Sequence, residues 1–309
     1  MDRRSFLLKA TVGGIGLAGG IGTATRMAVA GVRSSASNLA GRPALRKAVK
    51  YTMVEIEGSV ADRFALVKEL GFDGIEMESP NDLDAQEVRE ASESVGLLIH
   101  GVVDSMHWNR PLSDPDPDVR AVGVKALRTA LRDARAYGAS TVLLVPAVVT
   151  EGVSYDAAYQ RSQEEIRRVL PEAEELGIRI AIENVWNAFL LSPLEMARYL
   201  DEFESEWIGA YFDIGNVVNF GWPEHWIRIL DHRILKLDVK EYSRKLRDEQ
   251  GPSAGFRAPL GEGDVNWPAV LQALDDVGFS GWATAEVRGG DRERLTDIAA
   301  RMDRVLALG

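Results

Sequence analysis

Short apolar runs recur along the chain, separated by longer segments with helical periodicity. The runs cover residues 48–53, 74–78, 97–103, 141–147, 179–184, 209–214, 234–240 and 284–287, each four to eight residues long and rich in Val, Ile or Leu. Runs apolar on both faces read as buried parallel strands, whereas a half-buried strand would alternate. Between them, residues 60–70, 119–137, 155–176 and 193–203 carry one apolar face at helical spacing. Gly71, Gly138, Gly177 and Gly278 follow the ends of such segments, and Ser192-Pro193 opens one. Gly supplies the left-handed helix stop, and Pro suits the first helical position. Eight strands alternating with eight helices over about 260 residues predict a single (β/α)8 barrel, an α/β TIM barrel. A doubly wound sheet is the alternative, but it calls for a Gly-rich turn after the first strand, where Tyr51-Thr52-Met53-Val54-Glu55 stands.

The first thirty residues do not fit this alternation. Arg3-Arg4-Ser5-Phe6-Leu7-Leu8-Lys9 precedes an apolar stretch from Ala10 to Ile21, and Ala28-Val29-Ala30 has the form of a cleavage site. The paired arginines followed by Ser-Phe-Leu resemble a bacterial twin-arginine (Tat) export signal. Twelve apolar residues fall short of the roughly 20 that span a bilayer. The expected organisation is therefore a Tat-type signal over 1–30, a polar lead-in over 31–46 and a barrel over 47–309. It implies the Tat machinery as a partner, a periplasmic or secreted product, and no stable membrane insertion after processing.

Composition narrows the chemistry. The 309 residues hold no Cys, which removes disulfides, thiolate metal sites and thiol nucleophiles. A formal net charge of −11 argues against nucleic acid, whose phosphates need clustered Lys and Arg. The signal segment is itself net positive, so its removal would leave about −14.

In a barrel of this kind the active site lies at the carboxyl ends of the strands. The last polar residues of the runs are Glu76 and Glu78, His100, Glu183 and Asn184, Asp213 and Asn216, Asp238 and Lys240, and Glu286 and Arg288. One strand-end acid is unremarked in most proteins, but Glu183, Asp213, Asp238 and Glu286 end four consecutive strands. Like charges converging on one side of a barrel mouth are costly unless a cation relieves them. All-oxygen ligands favour Mg²⁺ or Mn²⁺ over zinc.

These residues carry a resemblance. Leu70-Gly71-Phe72-Asp73-Gly74-Ile75-Glu76, Ile182-Glu183-Asn184, Phe212-Asp213-Ile214-Gly215-Asn216, Asp238-Val239-Lys240-Glu241 and Pro259 to Trp267, with Glu286 after Gly281-Trp282, follow in this order. Together they resemble the xylose isomerase-like barrels, also called the sugar phosphate isomerase/epimerase family, over roughly 47–305. The resemblance implies one divalent metal held by Glu183, Asp213, Asp238 and Glu286, with Asp238 and Asn216 standing where the family usually has His. It also implies a substrate-binding role for Arg244.

The implied reaction is proton abstraction beside a carbonyl through an enediolate, with Glu183 and Glu286 on opposite faces of the carbon. Two-base delivery gives epimerisation; transfer to the neighbouring carbon gives isomerisation. Lys240, His100 and Arg288 are expected to bind substrate oxygens alongside Asn184 and Asn216, and His107, Trp108 and Trp186 to form a stacking lid. The expected partner is a small carbohydrate, neutral rather than phosphorylated, with a homo-oligomer left open. Two rivals remain: a 3-keto-glycoside lyase or hydrolase that begins with the same proton abstraction, and a carbohydrate-binding barrel without catalysis.

Overall fold

The computed structural model describes residues 45–308. The expected export signal and all but the last two residues of the lead-in lie outside the described residues. Eight strands run in parallel: β1 (Leu45–Lys50), β2 (Gly74–Ser79), β3 (Leu98–Asp104), β4 (Thr141–Leu144), β5 (Arg179–Glu183), β6 (Ile208–Asp213), β7 (Ile234–Val239) and β8 (Gly281–Ala285). Each pairs with the next, and β8 closes on β1 through Leu45–Gly281 to Val49–Ala285, so the sheet is a closed barrel. The single-barrel expectation therefore holds, and the doubly wound alternative falls.

The helices follow the strands as a parallel sheet requires. They are α1 (Val60–Glu69), α2 (Ala85–Val95), α3 (Pro117–Tyr137), α4 (Tyr155–Leu176), α5 (Pro193–Asp201), α6 (Ile214–Val217), α7 (Pro223–Leu230), α8 (Arg244–Gln250), α9 (Trp267–Asp276) and α10 (Arg292–Val305). The alternation is looser than expected, because the β6–β7 and β7–β8 crossings each hold two α-helices. Side chains stop the orphan amides at helix starts: Ser59 and Asp62 form a capping box on α1, and Ser192 caps α5 with Pro193 at the first position. Gly138 and Gly177 end α3 and α4 at φ 77° and 68°, where a side chain would be strained.

The core lies between sheet and helices, with residues such as Phe64, Leu127, Ile166, Phe212 and Ile298 almost wholly buried. The barrel's interior is more polar. The register slips by one residue between Ile75 and Glu76 against β3 and between Ala210 and Tyr211 against β7. Such bulges re-aim side chains. They bring His100 and Lys236 together inside the barrel, with Lys236 Nζ 3.0 Å from His100 Nδ1 and also donating to the His100 carbonyl. Thr284 Oγ1 lies 3.2 Å from His100 Nε2 and 2.8 Å from the Tyr211 hydroxyl, and Trp282 stacks on the imidazole at 4.6 Å.

Candidate active site

Four strands deliver one carboxylate each to the barrel mouth. Glu183 is the last residue of β5, Asp213 of β6, Asp238 is next to last in β7, and Glu286 follows β8. One oxygen from each lies within 4.8 Å of every other, and the first three side chains are buried. Asp213 is fixed by its surroundings. Its Oδ1 accepts from the Asn216 amide at 2.9 Å as the cap of α6, and its backbone is clamped by Asn184 through two bonds of 2.8 and 2.9 Å. Asn216 in turn donates to the Asn184 carbonyl at 3.0 Å.

Two lysines reach into this group. Lys240 Nζ lies 2.8 Å from Asp213 Oδ2 and 2.5 Å from Glu286 Oε2. Lys50, the last residue of β1, lies 3.1 Å from both Asp238 Oδ2 and Glu286 Oε1, and 3.9 Å from Glu76 Oε2. The titration of the carboxyls follows from burial first and these partners second. Burial pushes Glu183 well above the usual carboxylate range, helped by the Glu286 charge. It does the same to Asp238 against the pull of Lys50, and it raises Asp213 to about 6 against Lys240. For Glu286 burial acts upward too, but Lys240 and Lys50 outweigh it and hold the carboxyl well below its ordinary value.

The donor set fits a hard divalent cation. All four ligand candidates are carboxylates, and Glu183 Oε1 and Asp238 Oδ1 are buried with no hydrogen-bond partner. With all four ionised, as ligation requires, they and the two ammonium groups leave two negative charges, which such a cation cancels.

Two of the four carboxylates, Glu183 and Glu286, line a pocket of roughly 530 Å³, within the ~300–1,000 Å³ of small-molecule sites. Of the expected site residues, Glu183, Glu286, Lys240, Asn216, His107, Trp108 and Trp186 line it. Trp108 is 49% exposed and meets His107 edge-on at 5.8 Å. Trp186 is anchored by its indole N–H to the Asn216 carbonyl at 2.9 Å and packs against Phe256 at 4.8 Å. His107 is buried, and its Nδ1 accepts from the Val145 amide at 3.2 Å; burial lowers its pKa to about 3, so the ring is neutral.

Four expected substrate contacts do not reach the pocket wall. His100 is buried in the barrel interior with Lys236 and Thr284, and burial keeps its ring neutral. Asn184 spends both side-chain polar atoms on the Asp213 backbone. Arg244 turns away to the Gly221 carbonyl at 3.0 Å and the Trp222 ring at 5.9 Å. Arg288 is exposed beyond β8, outside the lining. Two ionisable pocket residues were not foreseen. Lys50 ends a strand taken to run to residue 53, and Asp104 lies one residue past the apolar run of β3. Asp104 is buried, accepts from the Met106 amide at 3.0 Å, and is raised by burial to about 7.

Comparison with known proteins agrees with this architecture. The xylose isomerase-like TIM barrel family matches residues 64–306. The 2-oxo-tetronate isomerase of Haemophilus influenzae is 26% identical over 250 residues, covering 78% of this chain and 92% of the relative. An L-ribulose-5-phosphate 3-epimerase of Escherichia coli O1:K1 is 27% identical over 271 residues, covering 78% and 89%. Among solved structures, a D-tagatose 3-epimerase-like protein superimposes with a TM-score of 0.71 at 19% identity, covering 85% of this chain and 98% of the other. A 3-keto-D-glucoside 4-epimerase from E. coli gives 0.72 at 14%, covering 85% and 99%. At these identities the two structures speak to the fold.

Proposed function

The chain belongs to the xylose isomerase-like TIM barrel family, and we propose that it is a sugar isomerase or epimerase that needs a divalent metal and acts on a neutral sugar or keto-sugar. The observation that carries this reading is the convergence of Glu183, Asp213, Asp238 and Glu286 within 4.8 Å at the carboxyl end of a closed barrel. The curated relatives point the same way, since both act on sugar-derived carbonyl compounds by name.

Glu183, Asp213, Asp238 and Glu286 would hold the cation, Mn²⁺ or Mg²⁺ by donor chemistry, which when bound polarises a carbonyl and its neighbouring hydroxyl. Glu183 and Glu286 both reach the pocket, so one can take the proton from the carbon beside the carbonyl and the other return it. Lys240 holds Glu286 and Asp213 in place and presents its ammonium to a substrate oxygen. Trp108, Trp186 and Phe256 line the pocket and offer apolar faces to the ring. The neutral His107 supports Trp108 rather than moving protons at neutral pH.

The pocket favours an uncharged substrate. Its lining cations are Lys50 and Lys240, and both are engaged by carboxylates, while Glu78 adds acidity to the wall. The twin-arginine segment supports the same choice through an exported setting; Arg3→Lys with Arg4→Lys should retain the protein in the cytoplasm on fractionation. A keto-glycoside is the second reading, favoured by aromatic surface that extends to the exposed Trp108.

Incubation of the Mn²⁺-loaded protein with a panel of ketoses and keto-glycosides in D₂O tests the reaction directly. Deuterium should enter at the carbon beside the carbonyl, and Glu183→Gln and Glu286→Gln should each lower the rate by about 10²–10⁴. Sugar binding without exchange in any substrate would reduce the protein to a carbohydrate-binding barrel. Release of a free aglycone would make it a lyase.

A further inference from the structure

Lys50 lies outside every sequence motif, yet it joins the carboxylate cluster to the barrel interior. Its side chain is 10% exposed, and its ammonium contacts Asp238 Oδ2, Glu286 Oε1 and, at 3.9 Å, Glu76 Oε2. Asp238 therefore has two unlike oxygens. Oδ2 rests on the ammonium, while Oδ1 is buried and has no hydrogen-bond partner. Charge counting gives Lys50 a second role. Without it the four carboxylates and Lys240 would carry three negative charges, one more than a divalent cation cancels.

We infer that Lys50 and Asp238 work as one unit, a net-neutral ligand that offers the metal a single oxygen, Oδ1. Lys50 is a positioning residue: it fixes which oxygen is offered and sets the charge of the cluster at −2. The inference rests on the divalent-metal reading above. Its consequence is that the two residues are coupled. Asp238→Asn keeps a neutral oxygen donor of the same shape but leaves the Lys50 ammonium only Glu286 as a close carboxylate partner, so the cluster carries only −1 and holds the cation less well. Removing Lys50 as well restores −2.

The test strips the purified protein with a chelator and titrates Mn²⁺ alone, reading free Mn²⁺ by its electron paramagnetic resonance signal. The Mn²⁺-dependent rise in melting temperature gives a second readout independent of turnover. Asp238→Asn should weaken Mn²⁺ binding at least about tenfold, and Lys50→Met/Asp238→Asn should recover it to within about threefold of wild type. Asp238→His with and without Lys50→Met makes the same comparison if the Asn variant does not fold. An Asp238→Asn protein that binds Mn²⁺ like wild type, or a double variant no better than the single, overturns the coupling while the metal site stands. Wild-type protein that binds no Mn²⁺ overturns the metal reading and this inference together.

Discussion

Asp104 shows what a pocket costs at the scale of one side chain. Its carboxyl is buried on the pocket wall with one amide as partner, and burial raises its pKa to about 7 from an ordinary 3.8. The folded state thus holds a proton that the unfolded chain releases between those values. Because the folded pKa is the higher one, stability is lost as pH rises from about 4 through 7, with an upper bound on the order of 4 kcal/mol. Asp104→Asn removes the titration while keeping an oxygen to accept the Met106 amide. The variant should therefore gain on wild type as pH rises, its advantage in urea melts being larger at pH 8.5 than at pH 5. An advantage of equal size at both pH values would show that the carboxyl's ionisation is not the cause.

At the scale of elements, the site depends on how closely α6 approaches the end of β7. Gly215 makes that approach: a Cβ there would stand 2.8 Å from the Lys240 backbone oxygen and 2.8 Å from its Cβ. Backbone cannot swing aside as a side-chain tip can. Gly215→Ala should cost about 1–3 kcal/mol of stability and weaken Mn²⁺ binding by displacing Asp213 from Lys240. Gly152, with open space around it, is the control; its Ala variant should match wild type in both. Element ends also explain what the sequence made legible. Glu183, Asp213, Asp238 and Glu286 stand out because each is an acid at the edge of an apolar run, and hydrophobicity locates that edge. Lys50 stays hidden because the apolar run continues through Tyr51 to Met53, which fold as a 3₁₀ turn rather than strand. His100 misleads for the converse reason. Apolarity stops at Val103, which makes His100 the last polar residue of its run, whereas the strand goes one further to Asp104. The bulge that turns His100 inward has no signature in composition; it arises from the register with β2.

The whole molecule is strongly acidic, yet its mouth holds two ammonium groups, and what they face decides which sugars can enter. Both lysines are already engaged by carboxylates, Lys50 at 3.1 Å and Lys240 at 2.5–2.8 Å. No Arg lines the pocket, and Glu78 adds a further carboxylate to its lining. A phosphate dianion would meet a net-negative rim under the long-range field of a −11 chain, which slows encounter as well as binding. A free ketose carries no such penalty and can stack on Trp108 and Trp186. Turnover should therefore favour the free sugar over its phosphate, by at least about tenfold in kcat/KM if one unpaired charge contact of ~1.4 kcal/mol or more is at stake. Raising ionic strength should narrow that ratio, because salt screens repulsion from a charged rim over about 10 Å at 0.1 M. Equal kcat/KM for the two forms, or a preference for the phosphate, would mean that an anion site exists beyond the walls of this pocket and would reverse the choice of a neutral substrate.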